Sequence, residues 1–148
     1  MTGDKATFCV GPENGDHISV TILNRCHPEC ADYLDGNWVN ATVEIRAGSF
    51  QGTYAAQLRS DELDHFKTEL AQLDKTLKGT AEFRSIEGWL GIRLEGNARG
   101  HLWAHCIAKD EPGVGNTLTF SLDLDQTFIA PLLRGLSRVL EQFPVVGK

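Results

Sequence analysis

Apolar residues alternate with polar ones along most of this chain. Twice, an alternating run passes directly into a helical stripe. In FQGTYAAQLRSDELDHFKTELAQLDKTLKG (50–79), Phe50, Tyr54, Ala56 and Leu58 fall on one parity, with Gly52 between the first two, while Thr53, Gln57 and Arg59 take the other. That is the two-residue period of a half-buried strand. From Leu63 the spacing changes: Leu63, Phe66, Leu70, Leu73 and Leu77 follow steps of three and four, a single helical stripe. Ser60 is placed to cap this helix, with Asp61, Glu62 and Asp64 at its positive end, Lys75 and Lys78 near its negative end and Gly79 as a left-handed stop. The pattern returns further on. An offset of 66 carries Tyr54, Ala56 and Leu58 to Phe120, Leu122 and Leu124, and the stripe to Ile129, Leu132, Leu136, Val139 and Phe143. Two readings fit equally: an internal duplication, or the ordinary likeness of two strand–helix units.

The remaining segments read as strands and turns. Residues 1–5 precede the first patterned stretch and are expected to fray. Thr7–Val10 makes a short strand, closed by the turn-rich GPENGD, and Ile18, Val20 and Ile22 mark a second. A long loop, 24–37, leads to a strand at Trp38–Ala47. There Val39, Ala41, Val43 and Ile45 face one way and Trp38, Asn40, Thr42, Glu44 and Arg46 the other. Gly48 and Ser49 turn it into the next strand as a hairpin. Thr80–Ser85 and Leu90–Leu94 follow. Leu102, Ala104, Cys106 and Ala108 then alternate with His101, Trp103, His105 and Ile107, and beyond loop 109–116 comes Leu118–Leu124. In the last helix Pro131 suits the first full position, where no N–H is needed; a helix that instead starts near Thr127 must have a distorted first turn. The expectation is an α+β fold of seven to eight strands in antiparallel meanders with two amphipathic helices, in one domain spanning 1–148.

Composition narrows the partners. The net charge is −6, which disfavours a broad phosphate-binding face and direct contact with nucleic acid. No apolar run reaches membrane-spanning length, and the N-terminus has no signal-peptide core, so a cytoplasmic location is expected. The four cysteines, Cys9, Cys26, Cys30 and Cys106, are then expected as free thiols.

Candidate chemistry is sparse. CHPEC (26–30) could supply Cys26, His27 and Cys30 to zinc, with Cys9, His17 or His101 completing a site. Structural zinc sites, however, use two close ligand pairs and here there is one, so no metal or cofactor is assigned. His101, Trp103 and His105 share a strand face. As acid and base they lack a nucleophile motif, and no phosphate loop or dinucleotide fingerprint is present, so no catalytic residue is assigned. A face with an aromatic and two histidines also suits a protein partner. The acidic residues Asp35, Glu44, Asp110, Glu111 and Asp123 could steer a basic partner, with Trp38 as an anchor. Trp38 packed beneath loop 24–37 is the competing reading.

Three segments together, ADYLDGNWVNATVEI (31–45), SFQGTYAAQLRSDELDHFKTELAQL (49–73) and TLTFSLDLDQTFIAPLLRGLSRVL (117–140), resemble the WapI-like immunity proteins of bacterial toxin systems and related small actinobacterial proteins of unknown function. DGNW and the strand–helix after it carry most of the likeness. The resemblance implies a non-enzymatic cytoplasmic protein that binds a cognate toxin domain, often a nuclease, and blocks it. No catalytic or interface residue carries over. A small-ligand or metal-binding protein, and a general protein-interaction module, are the alternative readings.

Overall fold

The computed structural model describes residues 5–148, so the expected fraying of residues 1–5 lies, but for Lys5, outside the described residues. Eight strands form two sheets of four. The first contains β1 (Thr7–Val10), β2 (His17–Arg25), β3 (Trp38–Ala47) and β4 (Phe50–Arg59). A single-turn helix, α1 (Tyr33–Gly36), lies between β2 and β3. Next comes α2 (Ser60–Thr76). The second sheet contains β5 (Lys78–Arg84), β6 (Leu90–Asn97), β7 (His101–Lys109) and β8 (Thr117–Asp125), and the chain continues through a 3-10 turn at Gln126–Phe128 into α3 (Ile129–Gln142). Each sheet is an antiparallel meander in sequence order, as short connections require. Each half is thus a four-stranded meander followed by a long helix, the α+β arrangement the pattern predicts.

The alternation decides what is buried. Val39, Ala41, Val43 and Ile45 of β3, and Leu102, Ala104, Cys106 and Ala108 of β7, join one apolar cluster with the stripes of both long helices. Leu63, Phe66, Leu70 and Leu73 of α2, and Ile129, Leu132, Leu136 and Val139 of α3, are all buried. Each such side chain contributes roughly 1.5–3 kcal/mol by leaving water. The helices cross between halves. α2 follows the first sheet yet lies along β5 of the second, and α3 follows the second sheet yet lies along β1 of the first. The edges at β1 and β5 are covered in this way. Glu69 of α2 accepts the Glu82 N–H of β5 at 2.8 Å, and Glu62 accepts the Ile86 N–H just beyond β5 at 2.8 Å. On the other side, a Cβ on Gly135 of α3 would lie 2.8 Å from the Thr7 carbonyl oxygen and 2.9 Å from Phe8 Cα.

Several local expectations are corrected. Ser60 does not cap α2. Arg59 is the N-cap residue, and Ser60 is the first helical residue, its buried hydroxyl without a hydrogen-bond partner and its N–H donated to Asn37. The left-handed stop falls on Leu77 (φ 56°), two residues before Gly79, because the Leu77 N–H closes on Leu73 at 2.7 Å. Pro131 is the third residue of α3. All four leading N–H groups of a helix lack an intrahelical partner, so proline fits within this first turn, and the 3-10 turn before it is the distortion expected of a start near Thr127. Loop 24–37 is shorter than expected and holds α1, capped by the Asp32 carboxylate. A bulge between Ile22 and Asn24 leaves Leu23 out of the ladder and 55% exposed.

Candidate functional site

Strand alternation turns His101, Trp103, His105 and Ile107 of β7 outward, since their neighbours fill the core. Register then builds a face across three strands. Trp103 lies between Glu95 on β6 and Asp123 on β8, His105 between Arg93 and Ser121, and Ile107 between Gly91 and Thr119. The His101 and Trp103 rings are 4.1 Å apart between centroids. His101 Nε2 lies 2.6 Å from Asp123 Oδ1, a close ring–carboxylate contact without the alignment of a hydrogen bond, and His105 Nε2 lies 3.3 Å from Glu95 Oε1. Both imidazoles are therefore matched with carboxylates on neighbouring strands. Trp103 and Ile107 are each more than a third exposed, which leaves apolar surface between these charges.

The other candidate residues lie elsewhere. Asp110 and Glu111 are in the β7–β8 loop. Asp110 accepts the Asn116 N–H at 2.7 Å and its side-chain amide at 3.1 Å, which holds the carboxyl below its usual range and closes the loop. Glu44 is on the outer side of the first sheet, 3.2 Å from His17 Nε2. Asp35 belongs to α1, and Trp38 starts β3 with the Arg59 guanidinium 5.0 Å over its ring. Trp38 is half-buried in that contact. Thus His101, Trp103, His105 and Asp123 come together, and Asp35, Trp38 and Glu44 do not join them.

Two hollows flank β5. One, of about 590 Å³, lies along α2 and is lined by Tyr33, Asp61, Glu62, Asp64 and Glu69. Burial is the main cause that pushes the Glu62 carboxyl up to about 7, against the hydrogen bond from Ile86, which lowers it. The second, of about 600 Å³, lies over the outer face at Gly91 and Ile107. Glu82 and Arg84 line both.

Arg59 escaped the sequence reading, which saw only a polar strand residue. It is 7% exposed and donates to the Leu34 and Tyr33 carbonyls, each at 2.7 Å, and to Asp61 at 2.9 Å. Its guanidinium also lies 5.4 Å from the Tyr33 ring centroid, so it holds α1 against the start of α2. No local spacing signals the contact with α1, because Leu34 and Tyr33 are 25 and 26 residues away in sequence. The CHPEC cysteines do not converge. The Cys26 thiol donates to Asn40 Oδ1 at 3.3 Å, and the grouping of possible ligands among the described residues is Cys30, Asp32 and Asp35, partly or fully exposed, with Asp32 engaged as the α1 cap. Burial pushes the Cys106 thiol up to about 12 and, with Glu13 and Glu44 nearby, that of Cys9 to about 11. Both are poor nucleophiles at neutral pH.

Residues 9–144 match the model of the WapI-like immunity protein family, and the chain belongs to that family. No curated protein matches. Two solved structures overlap with much of the fold. One, described as MRP1/MRP2 of Trypanosoma bruciei, shares 13% identity over 93% of this chain and 85% of its own, with a TM-score of 0.48. The other, a guide-RNA-binding protein complex bound to a gRNA, shares 14% over 93% and 90%, also at 0.48. At that identity and overlap, neither says what this chain binds. No helix among the described residues is long and apolar enough to cross a membrane.

Proposed function

We propose that this protein neutralises a cognate bacterial toxin domain by binding and occluding it, without turnover of its own. Family membership over residues 9–144 is the observation that carries the reading. Three features support it. The outer face of the second sheet offers Trp103 and Ile107 among polar and charged neighbours, the mixture of a protein interface. Its histidines are matched with carboxylates, and the thiol nearest to them in sequence, Cys106, is buried and held protonated. The net charge of −6 suits a basic target such as a nuclease. Within this reading His101, Trp103, His105, Asp123 and the loop residues Asp110 and Glu111 form the principal contact, and Asp35, Trp38 and Glu44 a second, peripheral one.

The test is a pull-down with the tagged protein from its own host, including the product of the adjacent gene, followed by calorimetry and an activity assay on the partner. A one-to-one complex that abolishes the activity of a toxin domain is the expected result. An adjacent gene product that neither binds nor loses activity would sink the reading.

A further inference from the structure

The hollow over Gly91 differs in charge from the rest of the molecule. Gly91 brings no side chain to the outer face, and a Cβ there would lie 2.9 Å from Ile107 Cγ2, so the missing side chain leaves a dip beside Ile107. Ile86, 73% exposed, and Ile107, 39% exposed, provide apolar lining. The charged lining is Arg84, Arg93, Lys109 and Glu82, and Glu82 pairs with Arg84 at 2.9 Å. Arg93 and Lys109 make no ion pair or side-chain hydrogen bond among the described residues. Glu82 also stands opposite Arg93 in the register, so a chain of net charge −6 presents three cations against one carboxylate around an apolar dip. In the next outward row, two residues along β6 from Arg93, Glu95 flanks Trp103 together with Asp123 of β8, and Asp110 and Glu111 follow Lys109. The cations of the trough are thus bordered by carboxylates.

We infer that the trough between Ile86 and Ile107 docks an acidic–apolar segment of the partner protein: an aliphatic or aromatic side chain seated over Gly91, with flanking carboxylates on Arg93 and Lys109. Charge complementarity selects this occupant. Cations beside apolar surface lose hydration when covered, and carboxylates on the partner return it most fully because they supply both acceptors and opposite charge. A basic toxin would then meet this protein in one orientation, its acidic segment over Arg93 and Lys109 and its basic surface on the bordering carboxylates Glu95, Asp123 and Glu111. Opposed charges side by side on a face set register more firmly than they set affinity.

This inference rests on the immunity reading, and the experiment separates the two. Wild-type protein, R93E/K109E and the milder R93Q/K109Q are titrated against the toxin domain encoded by the adjacent gene, with circular dichroism and thermal melts confirming that each variant folds. Loss of affinity on the order of a hundredfold in R93E/K109E, a smaller loss in R93Q/K109Q, and recovery when an Asp or Glu of the toxin is replaced by Lys, is the expected result. Wild-type affinity in R93E/K109E would overturn the trough and leave the immunity reading standing. No complex with the wild type would remove both. A wild-type protein that is a dimer by itself, and a monomer as R93E/K109E, would make the trough a contact between copies of this chain and overturn the proposal.

Discussion

Glu62 pairs one carboxylate oxygen with the Ile86 N–H and buries the other without a hydrogen-bond partner. Its carboxyl is raised to about 7 from an ordinary 4.5, so the folded protein holds a proton that the unfolded chain releases across that interval. The sign follows: the unfolded state binds fewer protons between about pH 4.5 and 7, so stability falls as pH rises through that window. Glu62→Gln keeps an acceptor for Ile86 and removes the buried charge. It should stabilise the protein at pH 8 by about 1–2 kcal/mol, after allowance for partial exposure, and be neutral at pH 4. Thermal melts at the two pH values check this. An equal effect at both would show that the charge is not the cause. The DGNW block is also clear at this scale. Gly36 has no room for a Cβ, which would lie 2.7 Å from Val146 Cγ2 and 2.8 Å from the Cys30 carbonyl oxygen. Asn37, wholly buried, donates to Tyr33 and Val146 carbonyls and accepts the Val146 N–H. These residues clamp the chain's last segment to α1, so the motif that signals the family is a structural joint. That purpose was illegible in sequence because Val146 lies 109 residues from Asn37.

The strands and the two helical stripes were legible, because period two and period three-to-four residues are set by backbone geometry and by burial on one side. Which sheet edge each helix covers was not, since an apolar stripe does not say whose apolar face it meets. Gly135 is the contact that fixes α3 on β1. Alanine would gain about 1 kcal/mol of helix propensity, but its methyl would press on β1 backbone, which cannot rotate away. Overpacking at about 1–3 kcal/mol wins against backbone this close, so Gly135→Ala should lower stability by up to roughly 2 kcal/mol in chemical denaturation, the reverse of the usual helix rule. The edge of β5 has its own test. Glu69→Ala removes the acceptor of the Glu82 N–H, and hydrogen exchange at that amide should quicken by about tenfold, while amides of β6 and β7 keep their rates. Uniform acceleration across the second sheet would show that Glu69 holds the helix as a whole and not the strand edge.

The candidate interface divides the same way. Alternation identified His101, Trp103 and His105 as one face, and register added Asp123 and Glu95. The trough was hidden, because its cations come from three strands and its shape comes from a residue with no side chain. For the whole molecule, the expected long-range behaviour follows from charge. Reversal at Asp123 and Glu111 should slow association with a basic toxin about fivefold at low salt, and the difference should vanish as screening shortens below the contact distance. Stopped-flow traces across a salt series check this. Asp110 is unsuited to that test, because its carboxylate holds the β7–β8 loop closed through Asn116.

The exchange of helices between the halves also bears on how the chain is made. On the ribosome the first sheet completes early, yet the strand that needs α3 at its side must wait until all eight strands have been synthesised. Through that interval β1 offers its open edge to any nascent chain nearby. A stall before Ile129 would release a protein with much of its fold and one adhesive border.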